Sequence, residues 1–309
     1  MRPLYFVILI ALFLGCSTDQ KETTTRGKLH LSIPESIAPV MVDEVNEFLA
    51  LYSSSGARIT YTVVSTAEAA RRFMLDTSRI VFLTIPLTQM EKEQARNTSP
   101  DFNELVIAYD GIAAVVHPNS NIVQMTITEL QKILSGTITR WEQLAEAKPM
   151  KGKINIYCQD TSDVEEYLAH RLLKESKITN AYKHTTSDLQ TLQSIEKDPR
   201  GLGFVALGWI DSAKSTAKVL YLGRTKEDTD TTFAPPKEVL GEFFSPHPAN
   251  IYRNYYPLKR AITMYTRTHV DLAAGFGTYV ATAEGQKLFL KRGLLPGTQR
   301  IKLRSNLPQ

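Results

Sequence analysis

The chain has 309 residues, and Lys+Arg 36 against Asp+Glu 32 leaves a formal net charge of +4. Hydrophobic residues at 43% and charged residues at 22% form a globular balance, which excludes disordered, collagen-like and multispan membrane classes. The positive excess is spread thinly, with no Lys/Arg run to track a nucleic-acid backbone, and two cysteines, Cys16 and Cys158, are too few for a disulfide scaffold or a Cys-based zinc site. A chain of this length outgrows a single hydrophobic core, so two lobes are expected.

Met1-Arg2-Pro3 supplies one positive charge ahead of an apolar run from Leu4 to Leu14, a length that suits a signal peptide and is too short for a stop-transfer helix. The run ends in Phe13-Leu14-Gly15-Cys16, which resembles the bacterial lipobox, where a small residue precedes a Cys that is acylated and becomes the new N-terminus. The resemblance implies a signal peptide over 1–15 and lipidation of Cys16. The polar Ser17–Thr25 stretch has the composition of a tether, so 16–27 reads as a lipidated linker.

In chain order, Lys28–Ile33 reads as a strand. Ile37, Val40, Met41, Val45, Phe48, Leu49 and Tyr52 then form one helical stripe closed by Ser53-Ser54-Ser55-Gly56. Arg58–Val64 is strand-like, Thr66–Leu75 a short helix, and Arg79–Thr84 a third strand stopped by Pro86, which together predict a mostly parallel sheet covered by helices. Glu104–His117 is too long for one small sheet and is expected to cross between lobes with Gly111 at the bend. Thr126-Ile127-Thr128-Glu129 is a capping-box pattern opening a helix that closes at Gly136, and Ser187-Asp188-Leu189-Gln190 is a second. Between them Ile154–Tyr157 reads as a strand and Ser162–Lys174 as a helix. Gly201–Leu207 is a buried strand with glycines at its entry, Gly223–Tyr256 is loop-like, Arg260–Tyr265 is a strand, and Leu272–Leu290 is helical with a break near Gly285.

The six histidines are scattered without metal spacing, and no G-x-S-x-G elbow, phosphate-cradling Lys loop or dinucleotide G-x-G-x-x-G is present. No cofactor or metal is therefore expected. What recurs is a small hydroxyl or acid where a strand ends and a helix begins: Ser36, Ser65-Thr66, Thr84 and Asp160-Thr161-Ser162. Each alone reads as a helix cap. Together they suit an interlobe cleft closing on a small oxyanion, because carboxyl ends of strands and N-termini of helices face the ligand crevice in open α/β sheets.

The order of segments resembles the phosphate-type ABC-transporter substrate-binding proteins, from about Lys28 to Leu303. The most specific stretch runs from Tyr109 through Asp110-Gly111-Ile112-Ala113 to Ser120, continuing through Leu134-Ser135-Gly136-Thr137-Ile138-Thr139-Arg140-Trp141. Gly201-Leu202-Gly203-Phe204-Val205, Tyr256-Pro257-Leu258-Lys259-Arg260 and Gly293-Leu294-Leu295-Pro296 add to it. The resemblance implies an α/β periodic architecture of the periplasmic-binding-protein fold, two α/β lobes with a two-crossover hinge and an interlobe cleft. Lobe I would comprise 28–110 plus 258–309, and lobe II 111–257.

It implies, further, a monomeric, non-enzymatic cell-envelope lipoprotein facing the periplasm or exterior. Such a protein takes a phosphate-like oxyanion through Ser36, Ser65, Thr66, Thr84, Asp160 and Ser162 and works with an ABC permease or another envelope complex. The ligand loops depart from the family pattern. Its fourth loop, Arg-x-x-x-Ser-Gly-Thr, reads here Cys158-Gln159-Asp160-Thr161-Ser162-Asp163-Val164, without the Arg and with Asp163 at the Gly position. Arg79, Arg71 and Arg72 are the substitute cations to consider. Losing a bidentate, charge-assisted contact and gaining a carboxylate predicts weak phosphate binding. The alternative is a degenerate binding-protein fold serving as an envelope interaction or signalling module. A hydrolase using Asp160 or Asp163 with His184 lacks any accompanying nucleophile motif.

Overall fold

The computed structural model describes residues 21–144, 150–174, 177–228 and 232–300. The expected signal peptide over 1–15 and Cys16 lie outside the described residues. In the first third, β1 (Gly27–Pro34) stops at Pro34, and α1 (Ala38–Tyr52) follows with Pro39 near its start and Val40, Met41, Val45 and Phe48 buried. Next come β2 (Ala57–Val64) and α2 (Thr66–Met74), the latter capped by Ser65, whose hydroxyl accepts the Glu68 N–H at 3.2 Å. Behind β3 (Ile80–Leu83) lies α3 (Gln89–Thr98), a helix the sequence reading passed over although Thr88 and Glu91 form a full capping box.

The 14-residue β4 (Asn103–Val116) is followed by β5 (Gln124–Thr126) and α4 (Ile127–Leu134), opened by the Thr126–Glu129 capping box and ended by Gly136 at φ +81°. Then come β6 (Asn155–Gln159) and α5 (Asp163–Leu168), which runs on through a π turn to Lys174 at φ 58°. The chain continues with β7 (Lys183–Thr185), α6 (Asp188–Ile195), β8 (Gly201–Ala206), α7 (Leu207–Ser212), β9 (Lys218–Val219) and β10 (Tyr221–Gly223). Among its described residues, the stretch expected as a loop holds a 3-10 turn (Lys237–Val239), β11 (Phe243–Phe244) and α8 (Pro248–Tyr252). The last elements are β12 (Lys259–Thr266), α9 (Leu272–Ala281), α10 (Ala283–Lys291) and β13 (Leu295–Pro296). The expected break near Gly285 falls instead at Thr282, which caps α10. Gly285 lies within that helix, where a Cβ would come within 2.6 Å of the Tyr279 carbonyl oxygen.

The largest sheet has the order β3-β12-β4-β8-β6-β7 and is mixed, which corrects the mostly parallel expectation. Within it β8/β6/β7 run parallel, as do β1 with β2 in a separate pair and β10 with β5 in a third sheet. The physical reason is β4. Its first half pairs antiparallel with β12, with Lys259 opposite Gly111 and Arg260 opposite Asp110, and its second half pairs antiparallel with β8, from Ile112 opposite Ala206 to Val116 opposite Leu202. One long strand thus serves two lobes, and the return strand must run against it.

Each lobe is covered on both faces, which is why the strands read as continuous apolar runs rather than as alternation. Along β3, Ile80 and Phe82 enter the main core of lobe I with Phe48, Phe276 and Phe289, while Val81 and Leu83 pack on the other face with Phe73 and Tyr265. Along β4, Ile112, Ala114 and Val116 join the lobe II core around Trp141 and Phe204, and Ala113 and Val115 face Leu192 and Ile195. Gly201-Leu202-Gly203 is a packing device, not a phosphate loop: a Cβ on Gly203 would sit 2.7 Å from Ile195 Cγ1, so α6 could not lie down on β8.

Candidate functional site

Three lobe I strands end or pass at one point. Pro34 hands β1 into a short turn that buries Ser36; β3 delivers Thr84; and β12 carries Arg260, buried at its second position. Opposite them, lobe II contributes the turn after β6. There Thr161 adopts φ +50°, and Ser162 accepts the Glu165 N–H at 3.1 Å and donates to the Gln159 carbonyl at 2.8 Å, so that Asp163 becomes the first residue of α5.

The Asp163 carboxylate points into the junction. Its Oδ2 accepts from Ser36 Oγ at 2.5 Å, from Thr84 Oγ1, and from Arg260 Nη1 at 3.0 Å. Arg260 turns the rest of its fork to Asp110, with Nε at 3.0 Å and Nη2 at 2.9 Å from Oδ2, while Asp110 Oδ1 accepts the Gly111 N–H at 2.8 Å. All four are shut off from water: Asp163 is 5% exposed, Ser36 2%, Thr84 4% and Arg260 2%. Two further contacts join the lobes beside them. Trp209 Nε1 donates to the Glu35 carbonyl at 3.0 Å, and the Asp188 N–H donates to Glu35 Oε1 at 3.2 Å.

Burial works to raise the Asp163 pKa, but the Arg260 guanidinium and the hydroxyls of Ser36 and Thr84 outweigh it and hold the group below the ordinary carboxylate range. Asp110 shares the same cation with fewer donors, and burial pushes it up. Burial likewise raises Glu35 to about 7, and it raises Asp188, helped by Glu35. Asp188 Oδ2 accepts the Ala206 N–H at 2.7 Å, but Asp188 Oδ1 and Glu35 Oε2 are buried without a hydrogen-bond partner, a state that suits shared protons rather than two charges.

Of the residues singled out from sequence, Ser36 and Thr84 meet at Asp163, and Ser162 lies beneath as a cap. Thr66 is buried beside them, close enough to help hold Asp163 ionised but without a hydrogen bond of ordinary geometry. Ser65 is exposed and caps α2, and Asp160 faces out, paired with His184 Nδ1 at 3.2 Å and accepting from the Tyr182 hydroxyl at 3.3 Å. Asp160 and His184 therefore pair at the surface, apart from the buried Asp163.

The expectation of a cleft without a matched cation is corrected, because Arg260 supplies it. Arg79 instead binds Glu22 and Asp271 at 2.8 and 2.6 Å, and Arg71 and Arg72 bind Glu68. Arg260 stands in the Tyr256–Arg260 crossover run, and its signal is a cation entering a buried strand, which demands a buried partner. Among the described residues no cluster of His, Cys, Asp and Glu has the makings of a metal site, and no helix is long and apolar enough to cross a membrane.

A family model described as a PBP superfamily domain matches residues 18–284, and the chain belongs to that superfamily. Within the superfamily its resemblance is to phosphate-type substrate-binding proteins. The phosphate-binding protein PstS of Borreliella burgdorferi is 20% identical over 303 residues, covering 94% of this chain and 96% of the relative. The SphX protein of Synechococcus elongatus is 22% identical, covering 72% and 63%. Among solved structures, a putative phosphate ABC transporter substrate-binding protein with bound phosphate from Clostridium perfringens aligns with a TM-score of 0.68 at 17% identity, covering 87% of this chain and 99% of that one. PstS from Borrelia burgdorferi aligns at 0.54 and 18% identity, covering 88% and 99%.

Proposed function

We propose that the protein is a lipid-anchored solute-binding protein of the cell envelope, held by Cys16. Its interlobe site is of the oxyanion type but divergent, and phosphate binds it weakly. Lobe I comprises 28–110 and 258–309, and lobe II 111–257. The observation that carries this reading is the convergence of Ser36, Thr84 and Arg260 on a single anionic oxygen between the lobes. Hydroxyls plus a guanidinium fork are the donor set that recognises an oxyanion in a dry cleft. The named relatives that bind phosphate support the same ligand class. Binding and lobe closure are the activity, with an ABC permease or another envelope complex as the downstream partner.

The second reading, an envelope interaction or signalling module without transport, is favoured by one observation: the anion at the centre of the donors belongs to the chain itself. A thermal-shift and calorimetric screen of residues 17–309 against phosphate, sulfate and other oxyanions tests the ligand class. A phosphate response, weak and shared with no non-anionic solute, is expected; no response to any oxyanion at millimolar concentration would contradict oxyanion binding by the unaltered protein.

A further inference from the structure

We infer that Asp163 is the resident ligand of the cleft: its carboxylate stands in the place of an external oxyanion, latches lobe II onto lobe I, and must be displaced before a solute can enter. The inference rests on the proposed oxyanion character of the site and states how that site is regulated. Three facts lead to it. First, the donors come from three separate lobe I segments, the turn after β1, the end of β3 and the start of β12, and the acceptor is a lobe II side chain. That is the topology of a ligand bridging two lobes. Second, one oxygen takes all three donors, so Ser36, Thr84 and the Nη1 corner of Arg260 are committed before any solute arrives.

Third, the charges leave no room for another anion. Arg260 already faces Asp110 and Asp163, and Glu35 and Asp188 lie close by. A phosphate added to that set would put two more negative charges against one cation in a site shielded from water. Phosphate and the Asp163 carboxylate are therefore competitors for one position. A receptor that closes on its solute draws its lobes together through that solute; here the Asp163 side chain makes the interlobe contacts itself. Population of the open form then depends on breaking charge-assisted hydrogen bonds rather than on losing a ligand.

The test follows lobe closure directly, by small-angle scattering and by the fluorescence of Trp209 in a Trp141→Phe background, in phosphate-free buffer. The unaltered cleft is expected to scatter as a closed particle and to show no further closure when phosphate is added. Asp163→Gly removes the carboxylate and is expected to open the lobes. Formate or acetate, small carboxylates that refill the vacated position, should close them again, a response that a merely structural role for Asp163 would not produce. Phosphate should also close Asp163→Gly, with an affinity about ten- to a hundredfold above that of the unaltered protein.

If Asp163→Gly fails to fold, the pair Ser36→Ala and Thr84→Val keeps the Asp163–Arg260 ion pair and is expected to raise the open fraction. An unaltered protein that is open without phosphate and closes on it overturns the latch while leaving oxyanion binding intact. Closure of Asp163→Gly by formate but not by phosphate upholds the latch and removes phosphate as the solute. Scattering and fluorescence that are the same in Asp163→Gly and the unaltered protein, with no formate effect, overturn the latch as well.

Discussion

Replacing Arg260 with Met tests the electrostatics of the junction more sharply than any other single change. The Met stem fills much of the Arg volume, so the loss is chiefly one of charge and hydrogen bonds. Arg260 is the shared counter-ion of Asp110 and Asp163, at 2.9 and 3.0 Å. Removing one partner of a buried pair costs roughly 3–5 kcal/mol because the other charge is left uncompensated. Asp163 keeps its donors Ser36 and Thr84, so the lower end, about 3 kcal/mol at pH 7.5, is expected.

The pH slope supplies the diagnostic sign. In the unaltered protein the folded pKa of Asp163 lies below the ordinary value of 3.8, so its contribution is complete above that value and is lost only as pH falls through the lower, folded one. Without Arg260, burial is opposed only by the neighbouring hydroxyls, the folded pKa rises above 3.8, and the Arg260→Met protein gains stability as pH falls toward that value. Each pH unit returns about 1.4 kcal/mol for every carboxyl that takes up a proton, so much of the deficit at pH 7.5 should be gone by pH 5. Urea unfolding at both pH values measures this, and adding Asp163→Asn should relieve the Arg260→Met cost at pH 7.5. A cost below about 1 kcal/mol, or one that is equal at both pH values, refutes the shared-counter-ion account.

Other outcomes follow from single residues. Glu44 is fully buried in α1 with neither oxygen hydrogen-bonded, and burial, helped by Asp43 and Glu47, raises its pKa to about 9. Because that folded value exceeds the ordinary 4.5, stability declines as pH rises from 4.5 toward 9, and Glu44→Gln should remove roughly 3 kcal/mol of decline by pH 7, read by chemical denaturation across pH. Gly203→Ala should destabilise by about 1–3 kcal/mol, since its Cβ would meet Ile195; an unchanged denaturation midpoint would show that α6 can shift freely. Cys16→Ser should move the protein from the membrane to the soluble fraction, and an unmodified Cys16 in an intact-mass spectrum of the membrane-bound form would end the lipoprotein reading.

Much of the fold was legible because its devices are local. The Thr126–Glu129 box, the Gly136 stop and the long apolar run through Gly111 all act within a few residues of themselves. The helix opened by Thr88 and Glu91 carried the same signature and was equally readable. The antiparallel half of the sheet was not, because direction is decided by β12 returning to β4 from 150 positions away. The site divides the same way. Ser36, Thr84 and Ser162 were visible as hydroxyls at strand ends, whereas Arg260 reaches Asp163 only through the β4–β12 register that sets it opposite Asp110. Asp163 itself was seen, but as a repelling charge; with Arg260 in place the same carboxylate becomes the anion that the cleft binds.

Phosphate titration by calorimetry of the unaltered protein beside Asp163→Gly measures the central claim most directly. The account predicts weak phosphate binding by the first and binding improved about ten- to a hundredfold in the second, more so when Gln159→Arg is added and salt is low. Tight, submicromolar phosphate binding by the unaltered protein, with no gain on removing the Asp163 carboxylate, would contradict it.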